Sequence, residues 1–260
     1  MPAGVPAALA VPAAVAVAFL LLPLAGLLVR APWRGLPRLL TEPAVRQALG
    51  LSLLAASSAT GIALLIGVPL AWLLARVEFP GRAVLRGLVT LPLVLPPVVG
   101  GVALLLAFGR RGLIGKHFAS VYTLPFTTAG VVVAETFVAM PFLIVAVEGA
   151  LRSADHRYEE AAATLGASRW TTFRRVTLPL VGPSIGAGAI LCWARALGEF
   201  GATVTFAGNF PGTTQTMPIA VYTALETDPE AAIALSLVLL AVSIIVLVGL
   251  RERWLRGALQ

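Results

Sequence analysis

An all-α, polytopic membrane protein with six transmembrane helices is the fold class this sequence predicts, and three observations carry it. Hydrophobic residues make up 58% of the 260 positions and charged residues 12%, about half the roughly 25% charged content of ordinary soluble domains. Mean hydropathy is +0.93, and a soluble fold of this size cannot hide so much apolar surface. The apolar residues also gather into six blocks, each near the ~20 residues that a helical span requires. Together these exclude a water-soluble globular domain, a disordered chain and a disulfide scaffold. The single cysteine, Cys192, sits in an apolar run and leaves no intrachain disulfide and no cysteine-based metal cluster.

The first block runs from about Pro6 to Val29. No basic residue precedes it, its apolar length exceeds a signal-peptide core, and Arg30 follows directly, so it reads as a retained span. The second covers about Gln47–Ala75, the third Ala83–Phe108, the fourth Thr128–Ala150, the fifth Leu178–Leu197 and the sixth Ala231–Leu250. Prolines interrupt these blocks at Pro23, Pro69, Pro92, Pro96, Pro97 and Pro141. In a bilayer the carbonyl freed by proline needs a neighbouring helix or a water-filled cavity. Two readings stand for the dense run from Leu91 to Gly101: packing kinks, or a segment that opens a path.

Basic residues outnumber acidic ones 19 to 12, and only Lys116 among them is lysine. They are scattered between apolar blocks without aromatic interleaving, which argues for anionic lipid and against nucleic acid. With both termini cytoplasmic, the inner segments carry 11 basic residues and the outer ones 7, the sense the positive-inside rule requires. The stretch Glu199–Glu230 contains neither Lys nor Arg, which suits an external segment.

The polar connection between the fourth and fifth blocks is the most informative segment. Asp155 is placed as an N-cap, with acidic residues in the turns that follow. Tyr158, Ala161, Ala162 and Leu165 share one helical face. Gly166 suits the left-handed position that ends a helix. Ser168 can cap a second short helix through Arg175, and Pro179 suits the start of another. The product is two short amphipathic helices joined by a tight turn at the membrane surface.

Glu160-Ala161-Ala162, three residues, Gly166, nine residues, Val176, one residue and Leu178-Pro179 resembles the EAA motif of ABC-transporter permease subunits, with Val176 where that pattern has Ile. The resemblance implies a type I ABC importer permease fold. It also implies that this loop docks on an ATPase subunit through Glu160 and Gly166, with Glu159, Ala161, Ala162 and Arg169 as nearby contacts. Further on, Ala194–Thr203 and Asn209-Phe210-Pro211-Gly212-Thr213-Thr214-Gln215-Thr216 are similar to the molybdate branch of these permeases. The sulfate branch shares the Ala-Leu-Gly-Glu-Phe-Gly core and differs in the second segment. The similarity spans about Leu49 to Gly249. It implies a bacterial cytoplasmic-membrane importer of molybdate, with tungstate tolerated. The implied assembly has two copies of this chain, two ATPase subunits and an extracytoplasmic binding protein.

No phosphate-binding Gly-x-x-x-x-Gly-Lys-Ser/Thr loop is present. The chain therefore cannot bind ATP by that route, and the resemblance implies a permease and not an enzyme, with no cofactor of its own and with ATP and Mg held by the partner ATPase. Arg195 is the one basic residue inside a predicted span core, a functional candidate by default. Two readings stand for it: a transient site for a passing dianion, or an internal pair with Glu199. Glu199, Thr203, Thr205, Asn209, Thr213, Thr214 and Gln215 are candidate path groups, able to bond an oxyanion weakly and release it. A polar connecting loop is the alternative. Two readings stand for Glu135 and Glu148 in the fourth block, a packing or helix-end role, which is favoured, and a proton relay; His117 and His156 receive no role. The chain divides into a first span with its external connection (1–46), a five-span core (47–250) with coupling helices at 153–175, and a cytoplasmic tail (251–260). A sulfate or thiosulfate permease and a polytopic membrane enzyme or structural subunit remain as rival readings.

Overall fold

The computed structural model describes residues 7–118 and 123–257; Pro6, at the start of the first expected span, and residues 258–260 of the tail lie outside them. Among the described residues every regular element is helical. The helices are α1 (Ala7–Val29), α2 (Leu36–Thr41), α3 (Pro43–Arg76), α4 (Arg82–Val94), α5 (Pro97–Phe108), α6 (Gly115–Phe118), α7 (Thr128–Ser153), α8 (Arg157–Thr164), α9 (Arg169–Leu197), α10 (Gly201–Ala207), α11 (Met217–Thr227) and α12 (Pro229–Gly257).

Five of these, α1, α3, α7, α9 and α12, are long and apolar enough to cross a membrane. The third expected span departs from expectation. It is divided at Leu95-Pro96, so neither α4 nor α5 alone has spanning length. The cause is local. A residue before proline is pushed out of the helical region, and Leu95 and Pro96 precede prolines with ψ of 130° and 131°. Helix α3 begins at Pro43, four residues before the expected start, and α12 continues to Gly257, so residues 251–257 of the tail prolong the last helix.

Pro69 and Pro179 end no helix. Each follows a wide π-turn, Ala63–Gly67 in α3 and Phe173–Thr177 in α9. The wider ring gives room to a proline that would otherwise clash with the turn before it. The expected boundary between Arg175 and Pro179 is therefore absent: Arg169 to Leu197 is one helix, and the second arm of the hairpin is the base of the fifth span.

Helix α7 lies at the centre, packed by α3 on one side and α9 on the other, with α5 and α10 against its first half and α12 behind α9. The buried residues of α3 are mostly small: Ser52, Ala55, Ala56, Ala59 and Ala63. Small residues let helix backbones approach where lipid supplies little hydrophobic drive. Of these, Ala56, Ala59 and Ala63 meet Leu143, Ile144, Val147 and Leu151 of α7 in the main core, which also takes Val181, Cys192 and Ala196 of α9. Helix α1 lies outside this core. It touches α12, and its side chains from Leu9 onward are almost all exposed, as expected of a helix that faces lipid.

Candidate functional site

The hairpin folds for reasons visible residue by residue. Asp155 acts one position earlier than expected: Oδ1 accepts the Arg157 N–H at 2.9 Å, and His156 holds the N-cap position. Helix α8 ends in a Schellman motif. The Gly166 N–H donates to Ala163 O and the Ala167 N–H to Ala162 O, both at 3.0 Å. Gly166 has φ of +81°, the left-handed conformation that side chains other than glycine resist. Ser168 then caps α9, its Oγ accepting the Thr171 N–H at 3.2 Å.

The two glutamates of the motif face opposite ways. Glu160, Ala161 and Gly166 are exposed, together with Tyr158 and Leu165, and Ala162 is half-buried. Among the described residues no hydrogen bond or ion pair engages the Glu160 side chain, and this surface stays open. Glu159 turns inward. Its Oε1 accepts from Arg76 Nη2 at 3.0 Å and from Thr177 Oγ1 at 2.8 Å. Arg76 closes α3 and Thr177 lies in the π-turn of α9, so one carboxylate ties the hairpin to two spans. The Arg76 side chain is 7% exposed and that of Glu159 21%. Arg76 Nη1 also lies 2.6 Å from His156 Nε2.

A second brace sits alongside. Arg82 Nε and Arg86 Nη2 donate to Leu74 O at 2.8 and 3.2 Å, satisfying carbonyls near the end of α3. Arg86 also pairs with Glu148 of α7 at 2.6 Å, and Arg152 lies 3.9 Å from the same carboxylate. Glu148 is thus a helix-end ion-pair residue. Glu135 is fully buried in α7, with Oε2 lacking a hydrogen-bond partner. Sequence reasoning missed Arg76, Arg82 and Arg86 as site residues. The available signal was the cluster of arginines at the junction of the second and third blocks.

The candidate path residues fall into two groups. At the end of α9, Arg195 pairs with Glu199 at 2.5 Å, and Glu199 Oε1 accepts the Ala202 N–H at 2.8 Å, capping α10. Arg195 remains 28% exposed while Glu199 is buried. Thr203 is buried nearby, and Thr205 Oγ1 donates to Gly201 O at 2.8 Å. Beyond α10, which is roughly 10 Å long, lies the second group. Asn209 donates to Thr223 Oγ1 at 3.2 Å and accepts from Gln215 Nε2 at 2.9 Å. Thr214 Oγ1 accepts the Phe210 N–H at 2.9 Å, and Thr213 O accepts from Thr128 Oγ1 at 2.9 Å. The loop is thereby laced to α7 and α11, with Asn209 and Thr213 exposed and Thr214 buried.

Long apolar helices around a small-residue core, a divided third block and an exposed helical hairpin describe a multi-pass helical membrane protein. Residues 63–257 match the family described as the binding-protein-dependent transport system inner membrane component, and the chain belongs to that family. It is 48% identical over 255 residues to the molybdenum transport system permease protein ModB of Mycobacterium tuberculosis, covering 97% of this chain and 96% of that one. The Escherichia coli protein of the same name is 43% identical, over 84% of this chain and 95% of its own length. The sulfate transport system permease protein CysT of Escherichia coli is more distant, 38% identical over 88% of this chain and 84% of its own. In fold, the chain is similar to a bacterial alginate ABC transporter solved in complex with an alginate pentasaccharide-bound periplasmic protein. That likeness has a TM-score of 0.78 at 16% identity, over 94% of this chain and 92% of that chain.

Proposed function

We propose that this chain is the permease subunit of an ABC importer that carries molybdate, and the similar dianion tungstate, across the bacterial cytoplasmic membrane. The observation that carries this reading is the 48% identity to a molybdenum permease along nearly the whole chain, against 38% to a sulfate permease. Two copies pair around a shared path, with both termini cytoplasmic. The broken α4–α5 segment supplies the sixth crossing. An extracytoplasmic binding protein delivers the anion, and an ATPase dimer that holds ATP and Mg supplies the energy.

In this reading the exposed face of the hairpin, Glu160, Ala161, Ala162, Gly166 and Arg169, docks on the ATPase. Glu159 then passes the motion inward, because its carboxylate joins the docked helix to the ends of α3 and α9. Closure of the ATPase pair favours one arrangement of the spans over the other, and the difference in stabilisation drives alternation. Arg195, Glu199, Thr203, Thr205, Asn209, Thr213, Thr214 and Gln215 contribute to the path. Arg195 is paired with Glu199, so a passing dianion meets a cation whose charge is already offset and is released readily.

Uptake into proteoliposomes holding the permease, its ATPase and the binding protein tests the assignment. Radiolabelled molybdate uptake is expected to require ATP, to be blocked by tungstate and to resist a large excess of sulfate. Competition by sulfate at equal concentration would instead assign the chain to the sulfate or thiosulfate branch.

A further inference from the structure

Beside the Arg76–Glu159 tie, α3 and α9 enclose a groove of about 260 Å³ lined by Pro69, Trp72, Arg169, Trp170 and Phe173. Its wall is aromatic. Trp170 stacks on Phe173 at a centroid distance of 5.7 Å, and Phe173 meets Trp72 edge-on at 6.0 Å. Trp170 is 69% exposed. From the groove an apolar stripe continues along α3. Ile66, Leu65 and Ile62, all exposed, precede Pro69 along α3.

The other end of the groove is cationic. Arg169 lines it, Arg174 follows Trp170 by four residues, and Arg175 is adjacent. All three are exposed, and none belongs to an ion pair among the described residues. Two carboxylates share the adjoining cavity with Arg169: Glu159, which is engaged by Arg76, and Glu78, which is exposed to solvent where its charge is screened. An aromatic trough with an apolar stripe at one end and free guanidinium groups at the other has the polarity of one phospholipid molecule. Guanidinium matches phosphate in a two-point hydrogen-bonded geometry, and indole rings favour the depth of lipid headgroups.

We propose that this groove binds an anionic phospholipid of the cytoplasmic leaflet, with an acyl chain along the Ile62–Trp72 stripe and the phosphate between Arg169 and Arg174. The proposal rests on the reading that the hairpin faces the cytoplasm. Arg169 borders both this groove and the surface assigned to the ATPase, but the groove itself lies where both helices continue into the apolar spans, whereas Tyr158, Glu160 and Leu165 lie on the separate helix α8, so lipid is the better occupant. Trp72, Arg169 and Phe173 also line the cavity of about 420 Å³ that contains Arg76 and Glu159. A lipid in the groove therefore braces the wall of the coupling network.

The full chain in nanodiscs carrying lipids with brominated acyl chains tests this through quenching of Trp170, isolated as the difference between wild type and Trp170→Phe. Brominated phosphatidylglycerol should reach half-maximal quenching at a mole fraction roughly 25-fold below brominated phosphatidylcholine, at about fivefold for each of the two arginines near anionic lipid. Arg169→Gln/Arg174→Gln should abolish that preference, and Arg169→Lys/Arg174→Lys should retain most of it. Equal quenching by the two lipids in the wild-type chain overturns the proposal, and this comparison survives any folding failure of the arginine variants. A preference that persists in a folded double glutamine variant also overturns it. So does loss of Trp170 quenching on addition of the ATPase, which would give the groove to protein. Molybdate uptake in parallel proteoliposomes fails independently. Uptake without lipid preference removes only the groove, and lipid preference without uptake removes only the transport reading.

Discussion

Replacing Glu159 by Gln removes one charge at the junction of hairpin, α3 and α9. The substitution leaves Arg76, whose side chain is 7% exposed, facing a neutral amide, while Thr177 keeps an acceptor. Breaking a fully buried ion pair from one side costs about 3–5 kcal/mol. Glu159 is 21% exposed, so water recovers part of this and about 2 kcal/mol is expected. At 1.4 kcal/mol per tenfold, that is roughly a thirtyfold shift from docked to undocked hairpin. Glu160→Gln, on an exposed residue that forms no ion pair among the described residues, should change stability by less than about 0.5 kcal/mol. Hydrogen exchange of amides 157–177 in the full chain measures the first quantity. ATP hydrolysed per molybdate transported measures its consequence. Glu159→Gln should raise exchange and loosen coupling, whereas Glu160→Gln should leave exchange unchanged and act only once the ATPase is present. A double-mutant cycle with Arg76→Gln should give a coupling energy of about 1–2 kcal/mol. Equal protection of the hairpin in the two single variants, or a coupling energy near zero, would refute the strut.

Three further outcomes follow from the geometry. Because an added side chain at Gly166 meets no atom within 4 Å but φ is +81°, Gly166→Ala should cost about 1–2 kcal/mol in thermal stability and Gly166→Asn less; an alanine variant as stable as wild type would contradict the left-handed turn. Gly101 approaches α10 so closely that a Cβ would lie 2.6 Å from Thr205 Cβ and 2.9 Å from Ala202 O. Gly101→Val should therefore lower stability by about 1–3 kcal/mol, while Gly50→Ala, in open space within α3, should raise it by up to about 1 kcal/mol. Arg195→Gln, which unpairs buried Glu199 from its cation, should reduce molybdate uptake while the complex still co-purifies; wild-type uptake by that variant would remove Arg195 from the path.

Much of this protein was readable along the chain because lipid imposes local rules. A span must be apolar over its whole length, so the blocks around Ala7–Val29, Thr128–Ser153 and Pro229–Val246 announce themselves. The hairpin was equally legible, since a left-handed glycine and a serine cap act within a few residues of themselves: Gly166 and Ser168 do what their spacing implies. Proline was read less well. Pro96 breaks a helix because Pro97 follows it, while Pro69 and Pro179 are absorbed by π-turns that no short pattern announces.

What the sequence determined by itself was the helical, membrane-spanning class and the outward hairpin, since backbone hydrogen bonding in lipid and helix capping are settled over one or two turns. Only the tertiary structure decided which glutamate looks inward. Arg76 lies 83 positions before Glu159, and Arg86 lies 62 before Glu148. Those partners meet because Ala56, Ala59 and Ala63 let α3 settle closely against Leu143 and Val147. The register of that contact depends on the joint packing of several helices.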